Sequence, residues 1–351
     1  MNFSRWQTMT DMQRTVPDGV DDGTRCPVCG GADFLTWRRA HDDRYGHPGS
    51  FELAHCKACG HLMTLPRLRE RDLPALYGTY YPRKALSSEL IASQARHAMA
   101  PFARLRRWWM GVDNQGQYLA KPGQKMLDIG CGSGVSLLEA QALGAQAFGI
   151  EADPNVEKLA RELGLRIHQG SIEDHPFPDV VFDLIIMNQV IEHIPEPDKA
   201  LRLVASRLSP GGRVVLVFPN RRSLWCRLSG LRWINWHIPY HLHHFDADTF
   251  QRLARRSGLM VIRTRTITPN LWTLLQLRAS RTQVLQGQLS PVWQVKAGGA
   301  VGGASQRASA RQLLRRSLIT GVVASFALVN RCVDLVGQGD CLMVELERDG
   351  G

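Results

Sequence analysis

From Lys125 onward the chain alternates two kinds of apolar pattern. KMLDI at 125–129, AFGI at 147–150, FDLIIM at 182–187 and RVVLVF at 213–218 are too short for helices and read as buried strands. Between them, apolar residues return every three or four positions. VSLLEAQALG sets Val135, Leu138, Ala142 and Leu143 on one side and stops at Gly144. A second such segment runs from Asp198 to Leu208 into the turn SPGG, and a third, DADTFQRLARRSGL, opens on an acid suited to cap it. MVIRTRT and DCLMVELER read as two later strands. Strands and helices in this alternation predict an α/β fold around a largely parallel sheet.

Outside that core the pattern is irregular. Residues 1–24 are polar, carry Pro17, Gly19 and Gly23, lack an apolar leader, and read as a disordered tail. Residues 66–120 hold an aromatic turn with Tyr77, Tyr80 and Tyr81, then a helical region broken at Pro101. The core is expected over 121–268, an insertion over 269–339, and the final strand and tail over 340–351. Within the insertion, AGGAVGGASQRASA reads as a flexible linker. The helix after it has a basic head, Arg311, Arg315 and Arg316, and an apolar stretch that either lies on a membrane interface through 311–336 or packs on the core. No stretch reaches the ~18–20 apolar residues of a membrane span, so the expected location is cytoplasmic, with peripheral membrane contact as an addition. The net charge of +11 and pI near 9.6 fit an acidic partner, although the basic residues are spread without a long run.

Four of the eight cysteines form two like knuckles, CPVCGG and CKACGH, with 26 residues between Cys29 and Cys56. In a reducing compartment, paired C-x2-C turns indicate metal rather than disulfides. Cys26, Cys29, Cys56 and Cys59 complete a closed tetrahedral Zn2+ site, structural because it keeps no open position. This defines a zinc-binding module at 25–65. His55 and His61 lie close by as alternative ligands. Cys131, Cys226, Cys332 and Cys341 lack partners at ligand spacing and read as core residues.

The decisive stretch joins the first two core strands. Gly130, Gly132 and Gly134 stand between strand and helix, where bare backbone can approach a ligand at a helix N-terminus. Glu151, 23 positions after Asp128, ends the next strand where ribose hydroxyls would be held. The dinucleotide fingerprint needs a third glycine at 135, which is Val135. D-x-G-x-G-x-G resembles instead the class I S-adenosylmethionine-dependent methyltransferases, and the resemblance covers Lys125 to Phe218. It implies a Rossmann-like, seven-stranded, mostly parallel sheet of order 3-2-1-4-5-7-6, the seventh strand antiparallel, with the helices of 66–120 as a lid. It further implies S-adenosylmethionine as cofactor. Asp128 and the three glycines would take its methionine end and Glu151 with Ala152 its ribose. Ser171, Ile172 and Glu173 would take its adenine, and Asn188 and Gln189 would lie beside the cofactor. The family more often has Asp where Ser171 stands.

Methyl transfer to a hydroxyl or activated carbon needs a proton removed. WHIPYHLHHF follows strand five at the ligand edge of the sheet, and His241 and His244 are the candidate bases. This stretch resembles the P-x-H-x-x-x-F segment of bacterial sugar and polysaccharide-cluster methyltransferases, and zinc knuckles ahead of the core are similar to those of sugar C-methyltransferases. RRSLWCRLSGLRWINW adds Arg221, Arg222 and tryptophans suited to phosphate and sugar rings. The expected acceptor is a small molecule: a sugar, a glycan-linked or phosphorylated metabolite. RNA is the alternative, since zinc modules and a basic pI suit nucleic acid, but NQVI stands where base amino methylation usually has Asn/Asp-Pro-Pro-aromatic.

Overall fold

The computed structural model describes residues 24–81, 87–98, 100–112, 116–293, 318 and 321–350. The expected tail before Thr24, the 297–310 linker and the basic head at Arg311, Arg315 and Arg316 fall outside them. Strands β1 (Phe34–His41), β2 (Ser50–Cys56) and β3 (Leu62–Leu65) come first, then helices α1 (Leu73–Thr79), α2 (Ser88–Ala98) and α3 (Ala103–Met110). The core follows as β4 (Lys125–Ile129), α4 (Val135–Ala142), β5 (Gln146–Glu151), α5 (Val156–Leu163), β6 (Arg166–Gln169), β7 (Phe182–Asn188), α6 (Pro197–Ser206) and β8 (Leu208–Pro219). After it come α7 (Leu224–Ser229), β9 (His243–His244), α8 (Ala247–Arg256), β10 (Leu259–Ile267), α9 (Asn270–Ala279), α10 (Ala327–Leu335) and β11 (Cys341–Arg348).

Seven strands form one sheet in the order β10-β11-β8-β7-β4-β5-β6. β11 runs antiparallel to β8 and β10, and all other pairs are parallel. Counted from β4, the order is 3-2-1-4-5-7-6. The apolar runs account for the centre, because β4, β7 and β8 are covered on both faces by helices. The edges are polar: β6 is only RIHQ, and β10 exposes Arg263, which discourages further strand pairing. The expected SPGG turn is not a break. It is a bulge inside β8, where Leu208 pairs with Phe182 and the register resumes at Leu184 opposite Arg213. Gly212 is required there, since a Cβ would lie 2.9 Å from the Phe182 carbonyl oxygen.

The cysteine-bearing segment does not stand apart from the core. Its sheet has the order β1-β2-β3-β9, and β9 comes from the loop after β8. One face, with Ala54, Met63 and Leu65, joins the same buried cluster as Phe218, Phe245 and Phe250. The other, with Phe51, Leu53 and Leu62, packs on Trp233, Trp236 and Ile238. The two-residue period of β2 thus feeds two cores at once.

The insertion helix is interrupted at Phe326 and held by polar groups rather than by a lipid-like seam. Asn330 Nδ2 donates to Asn270 Oδ1 (3.0 Å) and Thr273 Oγ1 (2.9 Å), all buried. Arg331 pairs with Asp334 at 2.8 Å and donates to the Thr268 carbonyl at 2.6 Å. The opposite side of α10 exposes Leu328, Val329, Leu335 and Val336. No described helix is long and apolar enough to cross a membrane.

Candidate functional site

The strand order reverses between β4, which continues to β5, and β7 on its other side. Such a switch leaves a crevice beyond the carboxyl ends of the strands. A cavity of about 1320 Å³ occupies it, lined by the glycine loop, the tips of β5 and β7, the Gly170–Glu173 turn and α1.

The three glycines divide the work. All have positive φ, at 77°, 54° and 80° for Gly130, Gly132 and Gly134. A Cβ on Gly130 would lie 2.4 Å from Val190 Cγ2, and one on Gly134 2.6 Å from Leu165 Cδ1. A Cβ on Gly132 meets nothing within 4 Å, so this position leaves room for a ligand rather than for packing. Gly130 and Gly132 line the cavity, and Gly134 stands behind it.

Glu151 and Ala152 are on the wall. Glu151 Oε2 accepts the Gly132 N–H at 2.7 Å and Oε1 the Asp153 N–H at 3.0 Å, so the carboxylate is aimed before any ligand arrives. Ser171, Ile172, Glu173 and Asn188 also line it. The Ser171 hydroxyl accepts the Glu173 N–H at 3.2 Å and is spent on capping its own turn, while Asp174 takes the Ser171 N–H at 2.7 Å. Asn188 Oδ1 is buried without a partner, an acceptor aimed at whatever fills the space.

Asp128 departs from the expected placement. It is buried beneath the loop, not on the cavity wall, and its carboxylate accepts the Ser136 hydroxyl at the start of α4. Burial, with the Glu151 charge adding, raises its pKa to about 7. It therefore secures the loop from below.

The histidine stretch is corrected in a similar way. His243 and His244 are β9, pairing with Met63 and Leu62, so they face the small sheet. His244 is 4% exposed, and its Nε2–H donates to Thr64 Oγ1 at 3.0 Å, because that hydroxyl gives its own proton to the His241 carbonyl. His241 is 5% exposed, with Nδ1 2.8 Å from the Asn235 carbonyl oxygen. Neither lines the cavity. His193 does, beside Tyr77 and Tyr81. Burial lowers its pKa to about 4. Tyr77 Oη lies 3.0 Å from His193 Nδ1, and the Tyr77, Tyr81 and Tyr240 rings meet edge-on or tilted at 5.2–5.5 Å. Tyr80 packs on His47 instead.

Arg221 and Arg222 are also committed elsewhere. Both pair with Asp246, the cap of α8, and Arg222 also with Asp248 at 2.8 Å. Trp233 and Trp236 are core residues. The cations on the cavity rim are Arg67, Arg69 and Lys199, of which Arg67 and Lys199 pair with Glu196 on the same rim. Sequence patterning missed these, whereas Gln189, expected beside the cofactor, is on the wall as a non-glycine residue at φ 58°. IEHIPEP held a signal that was overlooked: Glu192, directly before His193, is buried with neither carboxylate oxygen bonded.

The four knuckle cysteines converge, with all Sγ atoms within 4.8 Å of one another. Cys26–Cys59 and Cys29–Cys56 stand at 3.5 and 3.4 Å, against edges of about 3.8 Å for a tetrahedron with ~2.3 Å arms. Each turn closes alike: Gly30 N–H to Cys26 O at 2.7 Å and Gly60 N–H to Cys56 O at 2.8 Å. Burial pushes the Cys26 thiol up and the Cys59 thiol to about 11, a cost that a bound cation reverses. The donor set fits a closed thiolate metal site.

The family described as "Methyltransferase domain" matches residues 96–264. The "Ubiquinone biosynthesis O-methyltransferase" of Xanthomonas axonopodis pv. citri is 31% identical over 179 residues, 47% of this chain and 75% of that protein. The enzyme of the same name from Xanthomonas campestris pv. campestris is 32% identical over 171 residues, 41% and 70% of the two chains. A solved S-adenosylmethionine-dependent methyltransferase from Mesorhizobium loti superposes with a TM-score of 0.40 at 15% identity, covering 71% of this chain and 99% of that one.

Proposed function

The chain belongs to the S-adenosylmethionine-dependent methyltransferase family, and from that premise we propose that it methylates a hydroxyl on a small, ring-bearing acceptor such as a sugar or related metabolite. The supporting observation is the cavity. At about 1320 Å³ it exceeds the ~300–1,000 Å³ of a single-ligand pocket, which favours cofactor and acceptor side by side. Glu151 would hold the ribose, Ser171, Ile172 and Glu173 the adenine, and the Gly130–Gly132 backbone the methionine end. The open space at Gly132 and the unpartnered Asn188 Oδ1 fit this. When bound, the cofactor supplies a methyl group on a sulfonium. The chain's part is to align the acceptor with it and exclude water. Tyr77 and Tyr81 offer ring faces to a ring-bearing acceptor. Relatives named O-methyltransferases support oxygen as the accepting atom.

We further assign Zn2+ to Cys26, Cys29, Cys56 and Cys59, as a structural ion that fixes β1–β3 against the core. We also propose that peripheral membrane contact uses the exposed side of α10, with Leu328, Val329 and Leu335.

The test is a labelled-methyl screen, with the full chain offered low-molecular-mass, glycan, lipid and RNA fractions. Label is expected in a small or glycan-type product. Nuclease-released label with none in the other fractions would overturn the acceptor assignment.

A further inference from the structure

Behind the tyrosines of the cavity wall stands a buried cation with no carboxylate to match it. Arg44, in the turn between β1 and β2, is 8% exposed. Its guanidinium donates to the Ile234 carbonyl, and its Cζ lies 4.0 Å from the centre of the Trp293 ring. Nε is buried without a partner. The neighbouring Asp42 is spent on the turn itself, accepting the N–H groups of Arg44 (2.8 Å), Tyr45 (3.0 Å) and His47 (2.9 Å). Asp43 acts on the guanidinium only through space, and among the described residues no carboxylate stands within ion-pair distance of it. A charge desolvated to this degree is unfavourable unless an anion joins it.

Tyr81 connects this charge to the cavity. It lines the wall, and its ring meets those of Tyr45 (5.2 Å), Tyr240 (5.4 Å) and His237 (6.1 Å), none of which is on the wall. The Arg44 charge is felt at Tyr45, Tyr81 and His237 alike. The Tyr240 hydroxyl is buried without a partner and is a second free donor. His237 supplies an acceptor. His241 Nδ1 lies 2.8 Å from the Asn235 carbonyl oxygen and carries the proton, which leaves its Nε2 to accept from His237 Nδ1 at 3.3 Å. The unpartnered His237 Nε2 therefore keeps its lone pair. Burial, with the Arg44 charge adding, holds the His237 pKa well below the usual histidine range, so the ring is neutral. The segment after α9 fixes the turn from outside: the Ser290 N–H donates to the Arg44 carbonyl at 2.9 Å, and His41 Nε2 lies 3.1 Å from the Val284 carbonyl oxygen. Arg44 is thus aimed before any ligand arrives.

We propose that Arg44 and Tyr240 form an anion subsite for the acceptor, taking a carboxylate or phosphate group, with His237 Nε2 receiving a hydroxyl beside it. The inference rests on the methyl-transfer reading and narrows its substrate class to anionic, ring-bearing hydroxyl compounds. A guanidinium and a phenol hydroxyl match the oxygens of either anion. Tyr45 and Tyr81 flank the acceptor ring, and a turn of the Tyr81 side chain opens the cavity to the subsite. An anion anchored on Arg44 orients the rest of the acceptor towards the cofactor.

The probes are inorganic phosphate and benzoate, a carboxylate on a ring, each titrated calorimetrically into the full chain loaded with S-adenosylmethionine. Wild type is expected to bind at least one of them saturably, and the one bound more tightly tells phosphate from carboxylate. Arg44→Gln should weaken that binding roughly tenfold or more, the worth of a hydrogen bond to a charged group. Tyr240→Phe, which removes one hydroxyl and keeps the ring, should weaken it as well and serves should Arg44→Gln not fold. Melting without probe checks the fold of each variant. Equal binding in wild type and both variants means an adventitious ion only and overturns the subsite, as does the absence of saturable binding of either probe by wild type. S-adenosylmethionine affinity, measured first and without probe, separates the two readings. Where it is retained the subsite fails alone, and where it is absent the enzyme reading fails too.

Discussion

Cys56→Ser is expected to release the cysteine-bound metal and to lower the Tm of the whole chain, not of the knuckles alone. A thiolate zinc site couples about 10–16 kcal/mol of apparent binding free energy to folding. Here Cys26 and Cys56 sit in the same buried cluster as Phe218 and Phe250, and Arg221 ties the Gly60 carbonyl (3.0 Å) to the α8 cap through Asp246. Loosening the turn therefore exposes the β8–α8 side of the core. Elemental analysis should give about one zinc at this site. Cobalt substitution should add a near-ultraviolet sulfur-to-metal band. Wild-type Tm with the band intact in Cys56→Ser would reject the ligand set.

Glu151→Ala should lower S-adenosylmethionine affinity by roughly 100-fold or more. Two hydrogen bonds from ribose hydroxyls to a carboxylate are worth about 1.5–3 kcal/mol each, and each ~1.4 kcal/mol is a factor of ten. The same change frees the Gly132 N–H, so the loop loses its aim as well. Gly132→Val is the companion, because its side chain would enter open space rather than protein. Calorimetric titration reads the loss, and a melt without cofactor checks the fold. Unchanged affinity in both variants would remove the glycine loop from the cofactor site.

Asp128 shows where spacing stops being informative. Two residues before Gly130 it belongs to the loop motif, yet β4 carries its side chain down onto Ser136 rather than out to the cavity. The histidines teach the same point. His241 and His244 are three residues apart on one loop, but one faces Glu192 and the other Thr64, because β9 pairs with β3.

The strands, the glycine loop, Glu151 and the two cysteine knuckles were determined by the sequence itself. Each depends on interactions within a few residues: an apolar run, a positive φ that favours glycine, or two thiols on one tight turn. The joining of β9 to the small sheet, the sealing of His244, and the meeting of Glu192 and His193 with His241 were decided only in three dimensions. They bring together residues tens to almost two hundred positions apart, such as Leu62 and His244. Local spacing carries no record of which buried face such residues will share, since that is set by how the two sheets pack around one core.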